Sequence, residues 1–74
     1  MYKNDIRINA ENIWYLLSSN GALSIREITE ITNYEEELLL LALGWLAREN
    51  KIQFFEKDGS LHVETIYVQS EMFY

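Results

Sequence analysis

The apolar positions of this chain keep a helical period as far as Asn50 and then switch to a strand period. Ile13, Leu16 and Leu17 recur at helical spacing, with Trp14 beside them. This predicts a first helix over about 10–19, capped by Asn9, with Glu11 in a first turn that favours negative charge. Asn20-Gly21 ends it, because glycine tolerates the left-handed backbone that many helix C-termini require. Ala22-Leu23-Ser24 is short and suits an edge strand. Ser24-Ile25-Arg26-Glu27 has the spacing of a capping box, in which Ser and Glu satisfy each other's backbone donors. A second helix follows, with Ile25, Ile28 and Ile31 as its apolar positions, ending near Thr32. Asn33-Tyr34-Glu35-Glu36 repeats the capping logic with Asn as the cap, so only a short turn separates the second helix from a third.

The third helix is expected over about Glu35–Glu49, with Asn50 in the left-handed position after its end. Then Ile52-Gln53-Phe54-Phe55-Glu56 and Leu61-His62-Val63-Glu64-Thr65 alternate as strands. Between them Asp58-Gly59 is a strong two-residue hairpin signal. That loop sets Phe54 opposite Val63 and Ile52 opposite Thr65, the pairs expected to cover the core. Phe55 opposite His62 and Gln53 opposite Glu64 fall on the outer face. The stretch from Ile66 to Tyr74 is apolar for a tail and is read as a strand continuation or a cover for a partner.

The third helix has more apolar surface than one core requires. At about 100° per residue, Leu39, Ala42, Leu43 and Leu46 form one stripe. Leu40, Leu41, Gly44 and Trp45 fall on the other side, with Glu37 and Arg48 nearby. A glycine inside a helix costs about 1 kcal/mol against alanine, so a close approach of another surface is expected there. Trp45 would be its anchor. The competing cover for this face is the chain's own C-terminal tail.

Helix, short strand, two helices and a hairpin is an α+β order: a winged helix-turn-helix with three helices, a short strand between the first two, and a C-terminal β-hairpin wing. The phrase Leu43-Gly44-Trp45-Leu46-Ala47-Arg48-Glu49-Asn50-Lys51-Ile52 adds more. It resembles the signature of a small prokaryotic winged helix-turn-helix family of unknown function. Trp14-Tyr15-Leu16-Leu17, Gly21-Ala22-Leu23-Ser24 and Phe55-Glu56-Lys57-Asp58-Gly59 fit the same family. Asn50 stands where glycine is expected, a change that the left-handed tolerance of asparagine absorbs. The resemblance spans about residues 9–68. It implies a fold and brings no catalytic residue with it.

Seventy-four residues make a single domain over 1–74, with a core over about 9–68 and a tail over 69–74. A chain this short sits near the lower limit for a self-sufficient core, and oligomerisation is one remedy. With no cysteine, neither a disulfide framework nor a thiolate metal site is available. The N-terminus carries no apolar signal segment, and the apolar stretch Leu38 to Leu46, with Gly44 inside it, is well below the ~18 residues of a membrane span. A cytoplasmic location is therefore expected. Six basic against twelve acidic side chains leave a net charge of −6, which weakens attraction to nucleic acid or anionic lipid. No two basic residues are adjacent.

Chemistry is hard to place on this chain. His62, the only histidine, falls in a strand on the outer face with no readable nucleophile partner. Glu35-Glu36-Glu37 point in different directions on a helix and do not converge on a metal. Glu27 and Glu30 share a helix face, but Glu27 is better explained as a cap. The three glycines build no phosphate loop. The sequence thus predicts no enzyme, no cofactor, no metal and no small-molecule substrate. It predicts a homodimerising or protein-binding module that works through Leu40, Leu41, Gly44 and Trp45. The alternative is a small DNA-binding transcriptional regulator, with Arg26, Arg48, Lys51 and Lys57 as its best nucleic-acid contacts.

Overall fold

The computed structural model describes residues 3–66. Helix α1 spans Lys3–Asn20, strand β1 Leu23–Ser24, helix α2 Ile25–Thr32, helix α3 Glu36–Arg48, strand β2 Ile52–Lys57 and strand β3 Ser60–Thr65. The three strands form one antiparallel sheet in the order β1-β3-β2. The elements follow the order that the sequence predicts, and the fold is a winged helix. The expected tail over 69–74 lies outside the described residues.

Helix α1 begins earlier than the sequence suggested. Asn9 is not its cap but lies inside it. The reason is a longer stripe: Ile6 and Ala10 continue the spacing of Ile13 and Leu17 toward the N-terminus, and Ala10, Ile13 and Leu17 are all fully buried. Asp5 supplies the acid of the first turn, and Arg7 bridges Glu11 at 3.2 Å one turn on. At the other end Gly21, at φ 81°, donates its N–H to the Leu17 carbonyl at 2.8 Å.

Helix α2 starts on the capping box as read. Ser24 Oγ accepts the Glu27 N–H, and Glu27 Oε1 accepts the Ser24 N–H. Of its three isoleucines only Ile28 is fully buried, while Ile31 is 55% exposed. Three-residue steps drift around a helix of 3.6 residues per turn, so Ile25 and Ile31 flank the core and do not point into it.

The expected cap of α3 is a second correction. Asn33 belongs to the end of α2, at φ 61°, and donates its N–H to the Thr29 carbonyl at 2.7 Å. The α3 N-cap is Glu35, which makes no side-chain capping bond. Its C-terminus behaves as predicted. Asn50 takes φ 60°, its N–H donates to the Ala47 carbonyl, and the Lys51 N–H donates to the Leu46 carbonyl. These two bonds make a Schellman closure with asparagine in the glycine position.

Asp58 and Gly59 both have positive φ, 52° and 78°, as a type I′ hairpin turn requires. The register is the predicted one: Ile52 with Thr65, Gln53 with Glu64, Phe54 with Val63 and Phe55 with His62. One consequence differs. Phe54 shares the face of Val63 yet is 42% exposed, because β2 is an edge strand, whereas Val63 in the central strand lies between Leu23 and Phe54. The outer-face pairs do meet. Gln53 Nε2 donates to Glu64 Oε2 at 2.6 Å, and Phe55 stacks on His62 with ring centres 5.4 Å apart.

The core joins Ala10, Ile13 and Leu17 of α1 to Ile28 of α2, to Leu39, Ala42, Leu43 and Leu46 of α3, and to Ile52 and Val63 of the sheet. Helices α1 and α3 share the largest helix–helix contact. The inner stripe of α3 is thereby consumed, which fixes the direction of its outer side.

Candidate interaction face of the third helix

Rotation of α3 about its axis is set by Leu39, Ala42, Leu43 and Leu46, each 2% exposed or less. Opposite them, at steps of four, three and four residues, lie Glu37, Leu41, Gly44 and Arg48, all exposed. Leu40 flanks this line on one side and is 51% exposed; Leu41 in the middle is 48% exposed. A Cβ added at Gly44 would meet nothing within 4 Å among the described residues.

Trp45 departs from the other three predicted face residues. It is half-buried and packs against the core at the α1 side. There it lines a groove of about 440 Å³ with Arg7, Ala10, Glu11, Trp14 and Tyr15 of α1. Trp14 and Tyr15 meet edge to face, ring centres 5.8 Å apart. The α1 wall of this groove went unread in the sequence. Its signal is the spacing of Arg7, Glu11, Trp14 and Tyr15, which share one side of a helix only once the helix extends before Ala10.

The electrostatics of the face are acidic at its start and basic at its end. Glu36 and Glu37 occupy the first turn of α3 beside Glu35, and Arg48 occupies the last. Each suits the helix dipole. The acids also guard the N–H groups with which a helix N-terminus usually binds phosphate.

The four basic candidates do not form a patch. Arg26 on α2 reaches Glu30 at 3.7 Å. Arg48 and Lys51 follow each other around the end of α3, and Lys57 lies at the far end of β2, about 17 Å along the strand from Ile52. Among the described residues no cluster of His, Asp or Glu is suited to hold a metal ion, and no helix is long and apolar enough to cross a membrane. His62 Nδ1 lies 3.0 Å from the Ser60 carbonyl, within its own hairpin. The Glu27 carboxyl is held below the usual carboxylate range, chiefly by the Ser24 N–H it accepts. That shift is accounted for by capping.

Residues 1–65 match the family model described as winged helix-turn-helix domain, DUF2582. The solution NMR structure of protein BT2368 from Bacteroides thetaiotaomicron has a similar fold, with a TM-score of 0.77 and 35% sequence identity. The match covers 88% of this chain and 79% of that one. No curated protein matches the chain.

Proposed function

We propose that this chain, which belongs to the winged helix-turn-helix domain family DUF2582, is a noncatalytic module that binds protein through the outer face of α3. The observation that carries this reading is the pair Leu40 and Leu41, half exposed on the helix that this architecture would place in a DNA groove. Base edges and phosphates are read by Arg, Lys, Asn, Gln and Ser. On this face such chemistry is limited to Arg48 in the last turn. Two leucines and a bare glycine offer dehydration and close approach instead, which are the terms that favour protein contacts. The net charge of −6 opposes binding to a phosphate backbone.

Site-specific photocrosslinking tests the reading. A benzophenone side chain at Leu41, activated in living cells, is expected to give adducts that protease removes and nuclease leaves intact. Nuclease-sensitive adducts would overturn it in favour of the DNA-binding alternative that runs through Arg26, Arg48, Lys51 and Lys57.

A further inference from the structure

Resting on that reading, we propose that the partner is a second copy of this chain, docked antiparallel, α3 against α3, about a two-fold axis. The stripe Glu37-Leu41-Gly44-Arg48 repeats at four, three and four residues, the spacing of a helix–helix seam. In an antiparallel pairing centred on this stripe, one register brings every member to a complement. Glu37 meets the partner's Arg48, and Leu41 meets the partner's Gly44. The two-fold axis repeats both contacts, so each dimer holds two Glu–Arg pairs and two Leu–Gly seats. A parallel pairing would set Glu37 against the partner's Glu37 and Arg48 against the partner's Arg48. Charge therefore selects the antiparallel direction.

Two features of the isolated fold go unexplained without such a neighbour. The first is Gly44. An added Cβ would have room among the described residues, none of which requires glycine there, and the helix bears a cost of about 1 kcal/mol for it. A leucine from a crossing helix needs that missing side chain. The second is the charge at the two ends of the stripe. Among the described residues the ion pairs are Arg7–Glu11 and Arg26–Glu30, and neither Glu37 nor Arg48 has an intrachain one. A contact of one helix from each chain is small beside a standard interface of about 1,600 Å², so a micromolar dimer is expected and not an obligate one.

The test is a charge exchange followed by light scattering and analytical ultracentrifugation over a concentration series. The wild-type mass is expected to rise from 8.8 kDa toward twice that value. Glu37→Arg alone and Arg48→Glu alone are each expected to weaken association about tenfold, since both pairs of the dimer become repulsive. Mixing the two single variants restores both pairs between unlike chains, and a 1:1 heterodimer near wild-type affinity is expected. The double variant E37R/R48E is expected to pair with itself again. Thermal melts of each chain establish that all are folded.

A monomer at every concentration would overturn the pairing. So would a dimer indifferent to either single exchange, or single variants that fail to recover when mixed. Failure of the broader protein-binding reading looks different. A monomer whose Leu41 crosslinks to another protein removes the self-pairing and leaves that reading standing, whereas a nuclease-sensitive adduct removes both.

Discussion

Ser24 and Glu27 hold each other's backbone: the Ser24 N–H donates to Glu27 Oε1 at 2.8 Å, and the Glu27 N–H donates to Ser24 Oγ at 3.0 Å. The pair does more than begin a helix. Ser24 is also a strand residue opposite His62, so the same few atoms fix where the sheet ends and α2 starts. Ile28, one residue past the box, is fully buried in the core. Ser24→Ala removes the Oγ that accepts the Glu27 N–H and leaves only the backbone half of the box, the residue 24 N–H to the Glu27 carboxylate. The expected loss is about 1 kcal/mol, which in a domain of this size lowers Tm by about 4–8 °C. Thermal denaturation followed by circular dichroism measures it.

The same box has a defined acid dependence. Glu27 titrates below the usual carboxylate range when folded, first because of the Ser24 N–H, with Lys57 and His62 adding in the same direction. The depressed folded value means that Glu27 stabilises fully above the unfolded carboxylate range. That contribution is lost as pH falls through the lowered folded value. Glu27→Gln keeps the shape and removes the charge. Its denaturant midpoint is expected to lie below wild type at pH 7 and to converge on wild type in acid. A gap unchanged at low pH would assign the effect to shape and not to charge.

The hairpin was the most legible part of the chain, because Asp58-Gly59 admits a two-residue loop and a period of two then fixes every cross-strand pair. The buried stripe of α3 was equally readable, since four apolar residues at helical spacing leave one rotation. Capping was readable where it was reciprocal, at Ser24 and Glu27, and not where it rested on one residue type. Asn33 suits a helix start and a left-handed helix end equally well, and only the three-dimensional turn assigns it to α2. Asn9 misled for a similar reason, lying inside α1 where its type suggested a cap. Phe54 and Trp45 differ from these. Strand alternation gave the face of Phe54 but not its place on an edge strand. The helical wheel put Trp45 on the outer face as its anchor, whereas its half-burial depends on α1, a neighbour distant in sequence.

Gly44 separates folding from association in one substitution. Alanine at this site meets nothing within 4 Å among the described residues, so Gly44→Ala is expected to stabilise the monomer by about 1 kcal/mol. Under the antiparallel pairing the same methyl intrudes where Leu41 of the second chain seats, and the dimer is expected to weaken. Chemical denaturation at low concentration reads the first effect, and ultracentrifugation at high concentration reads the second. The signs must be opposite. A variant stabilised in both measurements would show that no surface approaches Gly44 closely.

Duplex DNA provides the sharpest contrast between this face and the one its architecture leads one to expect. DNA-binding proteins in general bind random duplex with Kd of about 10⁻⁴–10⁻⁶ M at physiological salt, mostly through phosphate contacts. Here the phosphate-seeking end of α3 carries Glu35, Glu36 and Glu37. Arg26 is engaged by Glu30, and Lys57 stands a strand's length from Arg48 and Lys51. Fluorescence anisotropy with a labelled random duplex is therefore expected to give binding weaker than about 10⁻⁴ M even at low salt. Replacing all three glutamates by glutamine lifts the repulsion without adding a base-reading group. A small gain that vanishes with added salt is expected, and no preference among sequences. A sequence-selective complex in the unmodified chain would mean that Arg26, Arg48, Lys51 and Lys57 converge on DNA despite their separation on the surface.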